Sequence, residues 1–306
     1  MSVSLVTTLY KSAPFLDEFV VRSLALMDDD DELILVDDGS PDNSLALARE
    51  RAAIDPRITV IELARNFGHH VAILAGLSHA QNERVFFVDS DLEEPPELLM
   101  EFAAAMDASG ADVVFGIHDH SEGSVLRRVT SRVFWRIFNW ASDSSTPLNI
   151  CNVRLMSRRY VDALVALPES NVFLGGMFHW VGFKQIAIPI ERRLQRTAST
   201  YSFSRRVALA VRSIVSFSTA PLKAMLLFGA AISTLSFLLA VYYVVLKILN
   251  PAIQLGFTTL IISIWFLSGI IVACLGVIGI YLAYMYTETK RRPRVIVREI
   301  FRAKKP

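Results

Sequence analysis

The chain has 306 residues, 53% of them hydrophobic, with 31 Lys and Arg against 30 Asp and Glu and a formal net charge of +1. A balance this close to neutral argues against a nucleic-acid binder, which needs a basic face, and two cysteines are too few for a disulfide-built scaffold. The length covers one soluble domain of ordinary size and leaves a remainder, which the charge pattern assigns to a membrane.

Residues 2–10 read as a first β-strand, and 13–27 carry apolar residues at helical spacing. A second strand at 32–36 runs into Asp37-Asp38-Gly39-Ser40-Pro41-Asp42-Asn43-Ser44 and a helix that reaches Ala52; a third strand covers 58–61. Asn66-Phe67-Gly68-His69-His70 turns into a helix of small residues at 71–80. The β-branched and aromatic run Val85-Phe86-Phe87-Val88 reads as a buried strand that ends in Asp89-Ser90-Asp91-Leu92-Glu93, and Pro95-Pro96-Glu97 opens the next helix. Strands alternating with helices predict an α/β fold on a parallel, helix-covered sheet. Ligands of such sheets bind beyond the carboxyl ends of the strands, where Asp37, Asp38, Asp89 and Asp91 all fall. Oxygen ligands so placed suit a divalent cation carrying phosphates, and Glu93 adds a third carboxylate. Taken alone, Asp91 reads equally as a cap for the helix that the prolines open, but capping explains one acidic pair better than both.

Further on, Arg128, Arg132 and Arg136 recur every fourth residue in 124–142, among Val129, Val133, Phe134, Trp135, Ile137, Phe138 and Trp140. This pattern suits a helix lying at a membrane surface with its arginines toward lipid phosphates, and it suits a solvated basic face just as well. A second amphipathic stretch, 205–217, precedes two runs without Asp, Glu, Lys, Arg or His, 224–246 and 248–287, each beyond the ~20 apolar residues that cross a bilayer. The spans are expected at about 224–247 and 257–285, broken at Asn250-Pro251. The connection around Asn250 has no Lys or Arg, whereas Arg192, Arg193, Arg196, Arg205, Arg206, Arg212 and Lys223 precede the pair and Lys290, Arg291, Arg292, Arg294 and Arg298 follow it; both ends are therefore expected in the cytoplasm. The start of the chain lacks a charged segment, apolar core and cleavage site, so export of the first domain is not expected.

Several of these segments carry a resemblance. Val36-Asp37-Asp38-Gly39-Ser40-Pro41-Asp42, Arg65-Asn66-Phe67-Gly68-His69, Asp89-Ser90-Asp91-Leu92 with Pro95-Pro96-Glu97, Arg154-Leu155-Met156, Trp180-Val181-Gly182-Phe183 and Lys290-Arg291-Arg292-Pro293 resemble family 2 glycosyltransferases. Within that family the chain is similar to the polyprenyl-phosphate hexosyltransferases, the group of dolichyl-phosphate mannose synthase and the bactoprenol glucosyltransferases, nearly end to end. The resemblance implies a GT-A nucleotide-sugar-binding domain over 1–190, a juxtamembrane segment over 191–222, two transmembrane helices within 223–287 and a basic cytoplasmic tail over 288–306. It implies an enzyme of the bacterial cytoplasmic membrane that transfers a hexose, glucose from UDP-glucose by default, to polyprenyl (undecaprenyl) phosphate with inversion. The product is a lipid-linked sugar donor for cell-surface glycans. By carry-over, Asp91 and Asn152 are catalytic, and Asp89, Asp91 and Glu93 hold Mg²⁺ or Mn²⁺. Thr8, Tyr10, Asp37, Asp38, Asp89, Ser90 and Arg196 meet the nucleotide sugar, and His118, Arg128 and Arg132 the acceptor phosphate. Relatives suggest a homotetramer.

The chain departs from the family pattern in places. Asn149-Ile150-Cys151-Asn152 stands where relatives often have Asp-x-Gly-Asp, so the proposed base becomes an amide. Tyr10-Lys11-Ser12 replaces an aromatic followed by Asn-Glu, His118-Asp119-His120 stands where an arginine is common, and Arg193 competes with Arg196 for the place of a lid arginine. Two readings follow: a base is dispensable for an anionic acceptor and Asn152 holds the sugar or acceptor by hydrogen bonds, which is the preferred one, or the chain is a catalytically impaired membrane protein that binds nucleotide sugars or acts as a scaffold. A processive polysaccharide synthase is disfavoured, because the chain lacks Gln-x-x-Arg-Trp and has two spans only.

Overall fold

The computed structural model describes residues 2–118, 150–170, 172–190, 220–249 and 257–303. They form two compact units, one holding the sheet and residues 292–306, the other holding the long apolar helices.

The first unit is an eight-stranded mixed sheet in the order β7-β5-β6-β4-β1-β2-β3-β8. Its centre is β1 (Val3–Leu9), every residue of which is buried, flanked in parallel by β2 (Glu32–Asp37) and β4 (Arg84–Phe87). β3 (Ile58–Leu63) extends the parallel set beyond β2. Beyond β4 the direction alternates: β6 (Ile150–Ser157) is antiparallel to both β4 and β5 (Val113–His118), and β7 (Gln185–Ile190) is parallel to β5. The wholly parallel sheet expected from strand–helix alternation is thus confined to β1–β4. β6 follows residues 119–149, which lie outside the described residues, and its pairing with β4 and β5 runs antiparallel.

Residue alternation along the strands supplies two buried faces. Leu5, Leu9, Leu33, Leu35, Val60 and Phe86 pack with Leu16 and Phe19 of α1 (Ala13–Leu24), Ala48 and Ala52 of α2 (Ser44–Ile54) and Phe102 and Met106 of α4 (Leu98–Ser109). The opposite face takes α3 (His69–His79), which buries six consecutive residues from Ala72 to Leu77. Small residues are needed there: a Cβ on Gly76 would fall 2.4 Å from Val6 Cγ1 and 2.9 Å from Val36 Cγ2. After β6 come α5 (Arg158–Val165) and α6 (Leu174–Trp180).

The second unit contains α7 (Ala220–Leu249, 30 residues) and α8 (Phe257–Thr289, 33 residues), each longer than the ~20 residues that cross a bilayer. Their most apolar stretches, Pro221–Leu239 and Ser263–Thr289, have mean hydropathies of 1.9 and 2.4, and neither is buried against protein. A hairpin in a soluble core would be covered, so these helices are not core elements.

Residues 288–306, expected as a basic tail, do more than carry charge. β8 (Val297–Arg302) pairs antiparallel with β3, placing Val60 opposite Phe301 and Glu62 opposite Glu299, and closes the edge of the sheet.

Candidate active site

The acidic segments converge at the carboxyl ends of β1, β2 and β4. Asp37 closes β2 and is buried, its carboxylate accepting the Ser40 N–H at 3.3 and 3.4 Å. Asp38, also buried, accepts the N–H groups of Phe67 and Gly68 at 2.7 and 3.0 Å, and its own N–H donates to the Leu9 carbonyl. Burial pushes both carboxyls above their ordinary value, against the hydrogen bonds that favour the charged form. Gly39 makes the junction between the two loops. Its φ is +65°, and a Cβ there would lie 2.7 Å from the Asn66 nitrogen, so any other residue would both strain the turn and force the loops apart. Asp38 therefore fastens the loop that delivers His69.

Beyond β4, Val88 still donates to the Val6 carbonyl before the chain turns. Ser90 is buried, and its hydroxyl lies 3.0 Å from the Thr8 carbonyl and 2.9 Å from the Ser12 hydroxyl, tying this turn to the end of β1. Asp91 does not cap the next helix. α4 begins at Leu98 with Glu97 before it, whereas Asp91 Oδ1 accepts the Glu93 N–H at 3.0 Å across a turn in which Leu92 has a φ of +60°. A buried leucine in the left-handed region is held there at a conformational cost, which proteins concentrate at working sites.

One cluster joins three parts of the chain. His69, the first residue of α3, lies with Nδ1 3.1 Å from Thr8 Oγ1 and Nε2 3.2 Å from the Asn152 side-chain nitrogen. The same Nε2 is 3.4 Å from Asp89 Oδ1, and Asn152 Nδ2 is 3.5 Å from Asp89 Oδ2. Burial pushes the Asp89 carboxyl above its ordinary value, and Glu94 and Glu93 push the same way, opposed by His69 and the Asn152 amide. Beside this cluster, burial lowers His70 to about 4; its ring contacts Phe173 and hydrogen-bonds the Val172 carbonyl. Beneath Asn152, Arg154 is almost fully buried, stacked 3.2 Å over the Phe178 ring and donating to the carbonyls of Asn152 and Cys151 at 2.9 and 3.1 Å. Desolvation pulls it down to about 10.

Of the residues expected at the site, Thr8, Asp37, Asp38, Asp89, Ser90, Asp91, Glu93 and Asn152 share this end of the sheet. Tyr10 is half exposed just past β1, and His118 is the last residue of β5, which points the same way as β4. Arg128, Arg132 and Arg196, with the amphipathic stretches 124–142 and 205–217, lie outside the described residues. Sequence reasoning gave His69 no role. Its only signal was the Gly68-His69 turn, which says nothing of a partner 83 residues away.

The sequence profile of glycosyl transferase family 2 matches residues 4–165, more than half of the chain. The protein belongs to that family. This family 2 glycosyltransferase is 40% identical to a Mycobacterium tuberculosis (strain CDC 1551 / Oshkosh) protein whose name gives it as a glycosyltransferase, over 98% of this chain and 89% of that one. It is 32% identical to the prophage bactoprenol glucosyl transferase homolog of Escherichia coli K12, over 88% of each chain. Among solved structures, that of S. aureus TarS 1-349 with UDP-GlcNAc aligns at 19% identity and a TM-score of 0.47, covering 71% of this chain and 66% of that one. The sheet with its flanking helices is the GT-A-like α/β fold of a glycosyltransferase.

Glycosyltransferases of this fold commonly use a divalent metal, and the donors here fit one in their chemistry. They are hard carboxylate oxygens, and Asp89 feels the added negative charge of Glu93 and Glu94. Among the described residues, however, no three His, Cys, Asp or Glu side chains converge closely enough to hold an ion by themselves. Such a rim suits an ion that keeps one or two carboxylates and takes its remaining ligands from a substrate's phosphates.

Proposed function

We propose that this enzyme transfers a hexose, glucose by default, from a nucleotide sugar, UDP-glucose by default, to the phosphate of a polyprenyl lipid, inverting the anomeric carbon. The E. coli relative named for bactoprenol carries this reading. At 88% coverage its match cannot be confined to the 4–165 family region and extends into the part of the chain that holds the apolar helices. Those helices give the reaction its location: side chains such as Leu226, Phe237 and Trp265 are exposed, and contiguous apolar surface of that extent is stable in lipid rather than in water. With the loop between them poor in Lys and Arg, the catalytic unit would face the cytoplasm.

The chemistry asks little of a base. A phosphate monoester has a second pKa of ~6, so the acceptor oxygen is mostly deprotonated at neutral pH. Asn152 accepts no proton, and with an anionic acceptor none has to be accepted. The ~10²–10⁴-fold that a general base supplies is not needed where no proton moves. One or two of the carboxylates of Asp89, Asp91 and Glu93 would hold Mg²⁺ or Mn²⁺, which when bound neutralises charge growing on the leaving diphosphate. Asp37 and Asp38 fix the loops around the nucleoside, with Thr8 and Tyr10 at the end of β1. Arg196 would meet the donor diphosphate, and His118, Arg128 and Arg132 the acceptor phosphate.

The test is to incubate membranes containing the full chain with labelled UDP-, GDP- and TDP-hexoses and polyprenyl phosphate, with and without EDTA. The expected result is a lipid-linked sugar from one donor, lost with EDTA and with Asp91→Ala. Tight donor binding without product from any of them would replace the enzyme with a nucleotide-sugar-binding scaffold.

A further inference from the structure

We propose that His69 is a positioning residue: with Thr8 behind it, the imidazole holds the Asn152 amide against Asp89, so that position 152 works as a hydrogen-bond donor to that carboxylate. This rests on the reading of the Asp89 rim as the metal–diphosphate site, and it assigns a function to two residues that the reading leaves idle.

The distances set the Asn152 amide between the ring and the carboxylate. Asn152 has an NH₂ group and an oxygen, and the atom nearest Asp89 Oδ2, at 3.5 Å, is the nitrogen. Turning the amide over would set its oxygen against a carboxylate oxygen, so the nitrogen belongs there. The same NH₂ lies 3.2 Å from His69 Nε2. With Nε2 taking one amide hydrogen, the other ring nitrogen, Nδ1, meets Thr8 Oγ1 3.1 Å away, which anchors the ring from behind. Nε2 also lies 3.4 Å from Asp89 Oδ1, so the ring and the amide face the two oxygens of one carboxylate. Remove the imidazole and the amide has lost the partner that orients it. Remove the amide and Asp89 Oδ2 loses that donor.

Thr8 ends β1, His69 starts α3 and Asn152 lies in β6, so three elements on rigid parts of the fold hold one carboxylate. Groups that orient a metal-binding carboxylate are typically worth ~10–100-fold in metal affinity or activity. In this chain an acid at position 152 would lose the N–H that meets Asp89. An aspartate there would set a second carboxylate where the amide nitrogen meets Asp89, and two carboxylates sharing a site repel or hold a proton between them.

The test uses the full chain in detergent with two readouts. The first is Mn²⁺ binding in the presence of UDP, followed by electron paramagnetic resonance, which needs no turnover. The second is kcat and the donor and acceptor KM for the donor that the wild type uses. His69→Ala and Asn152→Ala are each expected to weaken Mn²⁺ binding and lower kcat by ~10–100-fold with the acceptor KM unchanged. The double variant is expected to fall no more than about 3-fold below the worse single, because both act through one contact. His69→Gln, whose amide oxygen can take the place of Nε2, should recover part of the loss, and it controls for misfolding of the alanine variant. Losses that multiply in the double variant, or an Asn152→Asp enzyme at or above wild-type turnover, would overturn the proposal. If the wild type makes no lipid-linked sugar, the functional reading fails, and the Mn²⁺ measurement still decides the role of His69.

Discussion

Glu62 is the place where the strand that follows the apolar helices meets the loop of the active site. Its side chain is 9% exposed, and its two oxygens each take a guanidinium: Arg49 Nη2 at 2.7 Å and Arg298 Nη1 at 2.7 Å. Arg49 Nη2 also reaches Glu299 at 2.6 Å, so it bridges two carboxylates that the register of β3 and β8 sets directly opposite. Arg298 continues to the Ala64 carbonyl at 3.1 Å, and Ala64 N–H donates to the Ile296 carbonyl at 2.9 Å. Replacing Arg298 with alanine removes one charge-assisted bond on a side chain that is 62% exposed and one bond to a carbonyl, together about 1–2 kcal/mol after screening. Arg49→Ala removes a similar amount and leaves Glu62 facing Glu299. The double variant differs in kind, because a nearly buried carboxylate then has neither guanidinium, a loss of about 3–5 kcal/mol. Urea unfolding of the solubilised chain, followed by tryptophan fluorescence, should therefore show a double loss larger than the sum of the singles. Adding Glu62→Gln should return most of it. Because Ala64 opens the loop that ends at His69, the donor KM should rise in Arg298→Ala while the acceptor KM stays fixed. Single losses that simply add to within ~0.5 kcal/mol, with Glu62→Gln giving no recovery, would refute the reasoning.

Gly76→Ala should destabilise by about 1–3 kcal/mol, since the added carbon meets Val6 and Val36 in a filled core; an unchanged unfolding midpoint would contradict the packing of α3. Asp38→Ala leaves the N–H groups of Phe67 and Gly68 without their carboxylate, about 1–3 kcal/mol for each, and should raise the donor KM; Asp38→Asn, with one oxygen left, should lose about half as much stability. His70 is held from its ordinary 6.5 down to about 4, so between those values the unfolded chain binds the proton that the folded chain refuses. Stability is complete above pH 6.5 and falls by about 3 kcal/mol as the pH drops to 4, and this part of the dependence should vanish in His70→Phe. With both native cysteines replaced, Gln254→Cys between the two apolar helices should react with an impermeant maleimide on whole cells, whereas Lys290→Cys should react only after lysis; the reverse pattern would invert the proposed orientation.

The sequence discloses what depends on local pattern. The apolar run that ends at Asp89, the small residues of α3 and the uncharged lengths of α7 and α8 are each readable within a dozen or so neighbours, because burial in a strand, close helix approach and a bilayer constrain composition directly. What depends on the assembled fold is silent. Asn152 meets His69 across 83 positions and Arg49 meets Glu299 across 250, contacts that exist only once β6 lies beside β4 and β8 beside β3. The antiparallel course of β6 is silent for the same reason: it follows from pairing with β4 and β5, partners that strand–helix alternation does not name.

β8 is the sharpest case, and it bears on the membrane. Val297-Arg298-Glu299-Ile300-Phe301-Arg302 is short and half charged without strict alternation, and after an apolar span its arginines outweigh its weak strand signal, so it reads as a tail. Exposed charge on a short strand is nevertheless the form expected at a sheet edge, where it protects the sheet from pairing with other chains. Its pairing with β3 constrains the route of the chain. β1 to β7 precede α7 and β8 follows α8, yet all eight strands belong to one sheet, and a sheet cannot be assembled across a bilayer. If α7 enters a membrane, α8 must therefore bring the chain back to the side it left, a requirement of strand pairing that owes nothing to the count of Lys and Arg.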